Sequence, residues 1–334
     1  MNENRLITYL VHKGLIKAHG VQVTSLTGGV SCQILLIDDG EHRLVLKRAL
    51  EKLNVKEDWF ADVKRNVIEQ KYLIYVAGFM PEAVPAILYS DETHNFFCME
   101  MLENGLQNWK TLLLNKQFNL AYAEKAGKVL AEIHLKSINN SKLGEEFDTL
   151  DSFSELRIEP YLLATAEKNE LLASFFKAEA KRLSETKFCL VHGDYSPKNI
   201  LVNEERLVIL DCEVAWYGDP VFDIAFLLNH FVLKALYLKE GASKLMQMAE
   251  LVWESYITII NKKVDSRFEN RVIHLLPMLM LARVDGKSPV EYLSTENQNV
   301  VREFVIKELP NSSKTFKEFK ENWLQTVNKI TDEN

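Results

Sequence analysis

One segment constrains this chain more than any other. It reads Val191-His192-Gly193-Asp194-Tyr195-Ser196-Pro197-Lys198-Asn199-Ile200-Leu201-Val202, then Val208-Ile209-Leu210-Asp211-Cys212-Glu213, then Trp216-Tyr217-Gly218-Asp219-Pro220-Val221-Phe222-Asp223. An acid and an amide share one short loop between apolar, strand-like runs, and a second acid ends the next run. A hard cation such as Mg²⁺ takes oxygen ligands, commonly one or two carboxylates together with substrate phosphates. Asn199 and Asp211 can supply such ligands, which leaves Asp194 to take a hydroxyl proton.

The surroundings of this island are helical in pattern. The chain has 334 residues with only 13 Gly and 8 Pro, so few breakers interrupt its elements. Leu120 to Ile138 repeats apolar residues at helical spacing, with His134 reading as a packed core histidine. Helical stretches also cover Pro160 to Lys181, Val221 to Leu238, Ser243 to Ile260 and Ser313 to Ile330. The first hundred residues differ. Val21 to Leu26, Cys32 to Ile37 and Arg43 to Arg48 are short strand-like runs. Gly28-Gly29 separates the first two, and Asp38-Asp39-Gly40 makes a hairpin turn between the second and third. A helix-compatible stretch from Asp58 to Val76 follows, then two further runs, Ala86 to Tyr89 and Asn95 to Leu102. Three strands, a helix and two strands make a small α+β unit.

Composition excludes several classes. Hydrophobic residues at 47% and charged residues at 26% describe an ordinary globular chain rather than a disordered one. A net charge of −7 with no basic block argues against a nucleic-acid partner. No run is long and apolar enough for a membrane span, and the first residues lack a secretory pattern. The four cysteines are scattered in apolar stretches, which suits buried, reduced thiols and a cytoplasmic location.

Taken together, these features resemble those of the aminoglycoside phosphotransferase and choline kinase family, relatives of the protein kinases. The resemblance rests on the His192-Gly193-Asp194…Asn199 loop and the Asp211-Cys212-Glu213 that follows, and it extends over about the first 230 residues. It implies a two-lobed, protein-kinase-like α+β fold. A small five-stranded antiparallel N-terminal lobe with one helix would span residues 1–102, and a mainly helical lobe residues 103–334, with a hinge at about 99–104. Asp194 then corresponds to the catalytic base, and Asn199 and Asp211 to the Mg²⁺ ligands. His192 would brace the loop, Asp223 would hold its backbone, and Glu213 would be a second acid near the metal. Gly28, Gly29 and Ser31 match the loop over the nucleotide phosphates, where glycine permits close backbone approach. Lys47, sharing a strand face with Val45, matches the residue that reaches the α- and β-phosphates. Glu69 is its expected partner, ahead of Glu57 and Asp62. Glu100 and Leu102 lie in the stretch expected to hold adenine by its backbone.

The implied activity is ATP- and Mg²⁺-dependent phosphorylation of a hydroxyl on a small molecule, with GTP left open as donor. The alternatives are a protein kinase and a catalytically silent nucleotide-binding module. Only seven residues separate Asp211 from Asp219, too few for a peptide-binding activation segment. Asp285-Gly286-Lys287-Ser288 lacks the first glycine of a Walker loop. By the same resemblance the C-terminal helices shape an acceptor pocket, to which Arg283, Asp285 and Lys287 are assigned. Sugars, amino sugars, aminoglycosides and amino alcohols are all family acceptors, and the net acidity faintly favours a cationic one. The sequence does not indicate an oligomeric state.

Overall fold

The structure, a computed structural model, describes residues 3–26, 32–49, 65–102 and 105–332. The chain divides into two compact units, Met1–Leu106 with Val208–Glu213, and Gln107–Leu207 with Val214–Asn334.

The first unit is built on five strands: β1 (Gln22–Ser25), β2 (Cys32–Asp38), β3 (Arg43–Ala49), β4 (Ile87–Asp91) and β5 (Phe96–Glu100). They form one antiparallel sheet in the order β1-β2-β3-β5-β4. The β2–β3 turn is closed by side chains. Asp38 accepts from the Gly40 N–H, and Asp39 accepts from the N–H groups of Glu41 and His42. Gly40 sits at φ +88°, a backbone conformation that costs glycine little.

Period-two alternation separates the two faces of the central strand β3. Leu44 and Leu46 join Leu35, Ile37, Phe96 and Cys98 in one core cluster, completed by Leu6 and Leu10 of the helix Glu3–His12. The sequence reading allowed this unit a single helix. It missed the first one because only Leu6 and Leu10 of its ten residues are buried, an apolar stripe four residues apart in a polar stretch. Val45 and Lys47 alternate with that core, and Lys47 meets Glu69 of the helix Arg65–Ala77.

The second unit is mainly helical. Its centre is the helix Val221–Tyr237, with 15 of 17 residues buried, as expected for a helix apolar on all sides. The helices Leu120–Ser137 and Ala242–Ile260 approach closely at Gly127. A Cβ there would lie 2.4 Å from the Val252 carbonyl oxygen, so any side chain would push the two helices apart. The continuous helix expected from Pro160 to Lys181 is instead broken. Ser154–Leu163 forms wide π-type turns around Pro160, which has no N–H to give to an α-helical ladder. Ala164–Lys168 and Ala173–Glu185 follow as separate helices. Two short strands, Cys189–Val191 and Trp216–Gly218, pair antiparallel, and Gln107–Asn108 pairs with Ile200–Val202. Among the described residues no helix is long and apolar enough to cross a membrane.

Candidate active site

In the first unit, Lys47 is 3% exposed and its ammonium donates to Glu69 Oε1 at 2.8 Å and Asp211 Oδ1 at 2.6 Å. Burial alone would lower its pKa. The carboxylates of Asp211 and Glu69 outweigh burial and hold it well above the ordinary lysine value, so the group is a fixed cation. Glu69 is pushed up to about 7, because burial disfavours its charge more strongly than Lys47 restores it. Its second oxygen, Oε2, is buried with no hydrogen-bond partner. Asp211 adopts φ +64°, in the left-handed region where an aspartate is tolerated better than most residues.

Glu213 belongs to the same group. Its Oε2 lies 3.2 Å from Arg65 Nε and accepts from the Cys32 thiol at 3.4 Å. Burial keeps that thiol protonated, with its pKa well above the usual range. Ligand oxygens of Glu69, Asp211 and Glu213 all fall within 4.8 Å of one another. Three carboxylates, one with an orphaned buried oxygen, are the donor chemistry that a hard divalent cation takes.

In the second unit the Asp194 loop is fixed from beneath. Asp223, fully buried in the first turn of the central helix, accepts from the His192 N–H at 2.7 Å and the Gly193 N–H at 2.9 Å. The same carboxylate accepts from His134 Nε2 at 3.2 Å. A carboxylate acceptor places the ring proton on Nε2, so Nδ1 accepts from the Tyr256 hydroxyl at 2.8 Å. The sequence read His134 as core, and it is fully buried, but it also braces Asp223. His192 Nδ1 accepts from the Asp194 N–H, and Asn199 Nδ2 donates to the Asp194 carbonyl, both at 3.1 Å. Gly193 cannot be replaced cheaply. It sits at φ +78°, and a Cβ would meet the Val214 carbonyl oxygen at 2.7 Å.

The Asp194 carboxylate itself is partly exposed, and Arg157 Nη2 lies 3.1 Å from its Oδ2. The same guanidinium donates to the Gly193 carbonyl, so Arg157 ties the carboxylate to its own loop. Sequence reasoning missed Arg157. It comes from the irregular π-type segment, where no spacing rule points to it.

The remaining expected residues are scattered. Gly28, Gly29 and Ser31, and the weaker candidates Glu57 and Asp62, lie outside the described residues. Asp194 and Asn199 belong to the second unit, Asp211 and Glu213 to the first. Glu100 ends β5, where its N–H donates to the Ala86 carbonyl and its carboxylate accepts from the Ala86 N–H; Leu102 follows outside regular structure. Arg283 donates to the Tyr161 and Ser288 hydroxyls. The Asp285 carboxylate is held by Arg302, with a closest contact of 2.8 Å, and by Asn169. Lys287 is exposed and gives its N–H to the Pro160 carbonyl.

Residues 22–241 match the phosphotransferase enzyme family (APH). The chain belongs to this family. Its phosphotransferase relatives include a methylthioribose kinase of Geobacillus sp. (strain WCH70), 27% identical over 247 residues, which are 65% of this chain and 61% of that protein. A methylthioribose kinase of Bacillus cereus (strain AH187) is 25% identical over 69% of this chain and 65% of its own. The match thus spans somewhat less than two thirds of these relatives' length. Among solved structures, a choline kinase from Cryptosporidium parvum Iowa II superposes with TM-score 0.53 at 13% identity, covering 99% of this chain and 97% of its own. An amicoumacin kinase in complex with AMP-PNP, Ca²⁺ and Ami gives TM-score 0.53 at 13% identity over 95% of both chains. The phosphotransferase chain has their protein-kinase-like fold, with a five-stranded antiparallel sheet and a mostly helical remainder.

Proposed function

We propose that this phosphotransferase moves the γ-phosphoryl group of ATP to a hydroxyl of a small molecule. The observation that carries the reading is Lys47, a buried ammonium kept charged between two carboxylates. Burying an ammonium is costly even when carboxylates pair with it, and a phosphate-binding role accounts for its upkeep. Lys47 contacts the α- and β-phosphates, and Glu69 keeps it aimed.

Asp194 receives the acceptor hydroxyl. Its oxygen attacks the γ-phosphorus while the bond from that phosphorus to the β,γ-bridging oxygen breaks. ADP departs, and the hydroxyl proton passes to the Asp194 carboxylate. Phosphoryl transfer asks the protein mainly for alignment and charge stabilisation. Arg157, His192 and the Asp223 clamp supply alignment by fixing the loop that carries Asp194. Asp211, with Glu213 beside it, would hold Mg²⁺, which when bound neutralises phosphate charge; the family resemblance assigns Asn199 a metal-ligand role as well.

Residues 212–220 are all buried and Trp216–Gly218 is paired as a strand, so this stretch offers no exposed segment for docking a peptide. That favours a small-molecule acceptor over a protein. The names of the sequence relatives make methylthioribose the first compound to assay. The test is incubation with ATP, Mg²⁺ and a pool of hydroxyl compounds, reading the mass gain of one phosphate. Transfer that Asp194→Ala abolishes supports the proposal; phosphorylation of protein substrates alone would refute it.

A further inference from the structure

The central helix Val221–Tyr237 carries Asp223, Phe226, His230 and Lys234 along one stripe, at helical spacings of three and four. Asp223 at its start has three partners. Lys234, three turns later, has almost none. It is 1% exposed, and its ammonium has only the His230 carbonyl of its own turn, at 3.4 Å, and the face of the Tyr292 ring, 5.5 Å away. Among the described residues no carboxylate pairs with it.

Its neighbours also carry buried polar atoms without partners. His230 Nε2 and the Tyr292 hydroxyl are buried and unbonded, and so is Arg283 Nε, although the same guanidinium donates through Nη1 to the Tyr161 and Ser288 hydroxyls. Burial, together with the cations Lys110 and Arg283, draws the Lys234 pKa down to about 7. Burial and the same cations, with Lys234 and Lys198, keep His230 neutral. The one acid near Arg283 in sequence, Asp285, is taken up by Arg302. A desolvated ammonium with no counter-ion destabilises a fold unless something else requires it.

The cluster continues toward Asp194. The Arg283 guanidinium lies 5.9 Å from the Tyr161 ring. Arg157, which pairs with Asp194, lies 6.0 Å from Tyr161 and 5.9 Å from Phe226. Phe226 in turn packs against His230 with ring centroids 5.4 Å apart. One aromatic layer therefore links the loop of the proposed base to Arg283 and the unpaired Lys234.

We propose that Lys234, with Arg283, His230 and Tyr292, binds an oxyanion on the acceptor, so that the hydroxyl compound phosphorylated here carries a carboxylate or phosphate group. This rests on the small-molecule phosphotransferase reading above. The local charge is opposite to that of the whole chain, and the cationic acceptor that net acidity favoured is disfavoured at this position.

The experiment uses matched acceptors that differ in the charged group: gluconate and glucose, glycerate and glycerol, ribose 5-phosphate and ribose, with choline and methylthioribose as cationic and neutral members. Phosphate transfer is measured for the wild type, Lys234→Met and, as a second variant should the first not fold, Arg283→Gln. The expected result is transfer to an anionic member at least about tenfold more efficiently than to its neutral counterpart. Lys234→Met should erase that preference through KM and leave the ATP dissociation constant unchanged. Comparing the carboxylates with ribose 5-phosphate tells the two anions apart. Transfer only to a neutral or cationic member, lost in Asp194→Ala, would overturn this inference and leave the proposed function standing. Weakened ATP binding in Lys234→Met would overturn it too, by assigning the lysine to the nucleotide. If nothing is phosphorylated, the function reading fails, and thermal shift by the same compounds decides the inference. Stabilisation by the anions that depends on Lys234 supports it, and its absence overturns it.

Discussion

Asp223→Ala is the sharpest structural perturbation this protein offers. The carboxylate is fully buried and accepts from the His192 and Gly193 N–H groups and from His134 Nε2. Deleting it strands three buried donors. A hydrogen bond to a charged acceptor contributes about 1.5–3 kcal/mol, and an orphaned donor costs a similar amount. The three bonds share one acceptor and do not add fully, so the expected loss is about 4 kcal/mol. Asp223→Asn keeps the shape but turns an N–H toward an N–H, and should cost roughly half as much. Urea denaturation followed by tryptophan fluorescence reads the change, since Trp109, Trp216 and Trp323 are all buried in the same unit. Turnover should fall further than stability in the Asn variant, because the loop that presents Asp194 loses its anchor while the core persists. A loss below about 1 kcal/mol in Asp223→Ala, or full activity in Asp223→Asn, would refute the clamp.

Three further outcomes follow from the same geometry. Gly193→Ala should lower stability by at least about 2 kcal/mol, since the left-handed conformation and the approach to Val214 both oppose a Cβ; an unchanged urea midpoint would contradict this. Arg157→Met should reduce kcat about tenfold or more while ATP affinity, measured by calorimetry, stays at the wild-type value, because it removes a contact to Asp194 and none to Lys47. Lys234 is depressed to about 7 from 10.5, so between those values the unfolded chain carries the extra proton and stability rises with pH. The wild type should gain roughly 2 kcal/mol more than Lys234→Met between pH 7 and 9 in oxyanion-free buffer, and parallel denaturation curves for the two proteins would count against the unpaired ammonium.

The sheet was legible because its strands are short apolar runs set off by turn residues, among them Asp38-Asp39-Gly40, a sequence whose side chains close the backbone themselves. The Lys47–Glu69 ion pair was readable for a related reason. β3 alternates a core face with a Lys47 face, and Glu69 lies on a helix whose buried residues include Tyr72, Leu73 and Val76. The Asp194 loop announced itself as polar residues locked between apolar runs. Arg157 was hidden because its segment follows no α or β period, and Pro160 is what takes it out of the helical ladder. Lys234 was hidden for the opposite cause. In sequence it is a polar interruption of an apolar helix, the usual sign of a solvated edge, and only the packing of the helix on all sides shows that it never reaches water. The early helix Glu3–His12 was missed because two leucines are a thin stripe until a sheet core is there to receive them.

Transfer of phosphate from ATP to a small hydroxyl compound, with Asp194 as the proton acceptor, is the proposed reaction. The most direct measurement follows both partners of one reaction. ATP binding is read by calorimetry, and phosphate transfer from ATP with Mg²⁺ is read by mass spectrometry, for the wild type and for Asp194→Ala. Equal nucleotide affinity in the two proteins and a loss of transfer of at least about a hundredfold in the variant are expected. Transfer that survives in Asp194→Ala, or nucleotide affinity that falls together with it, would contradict the assignment.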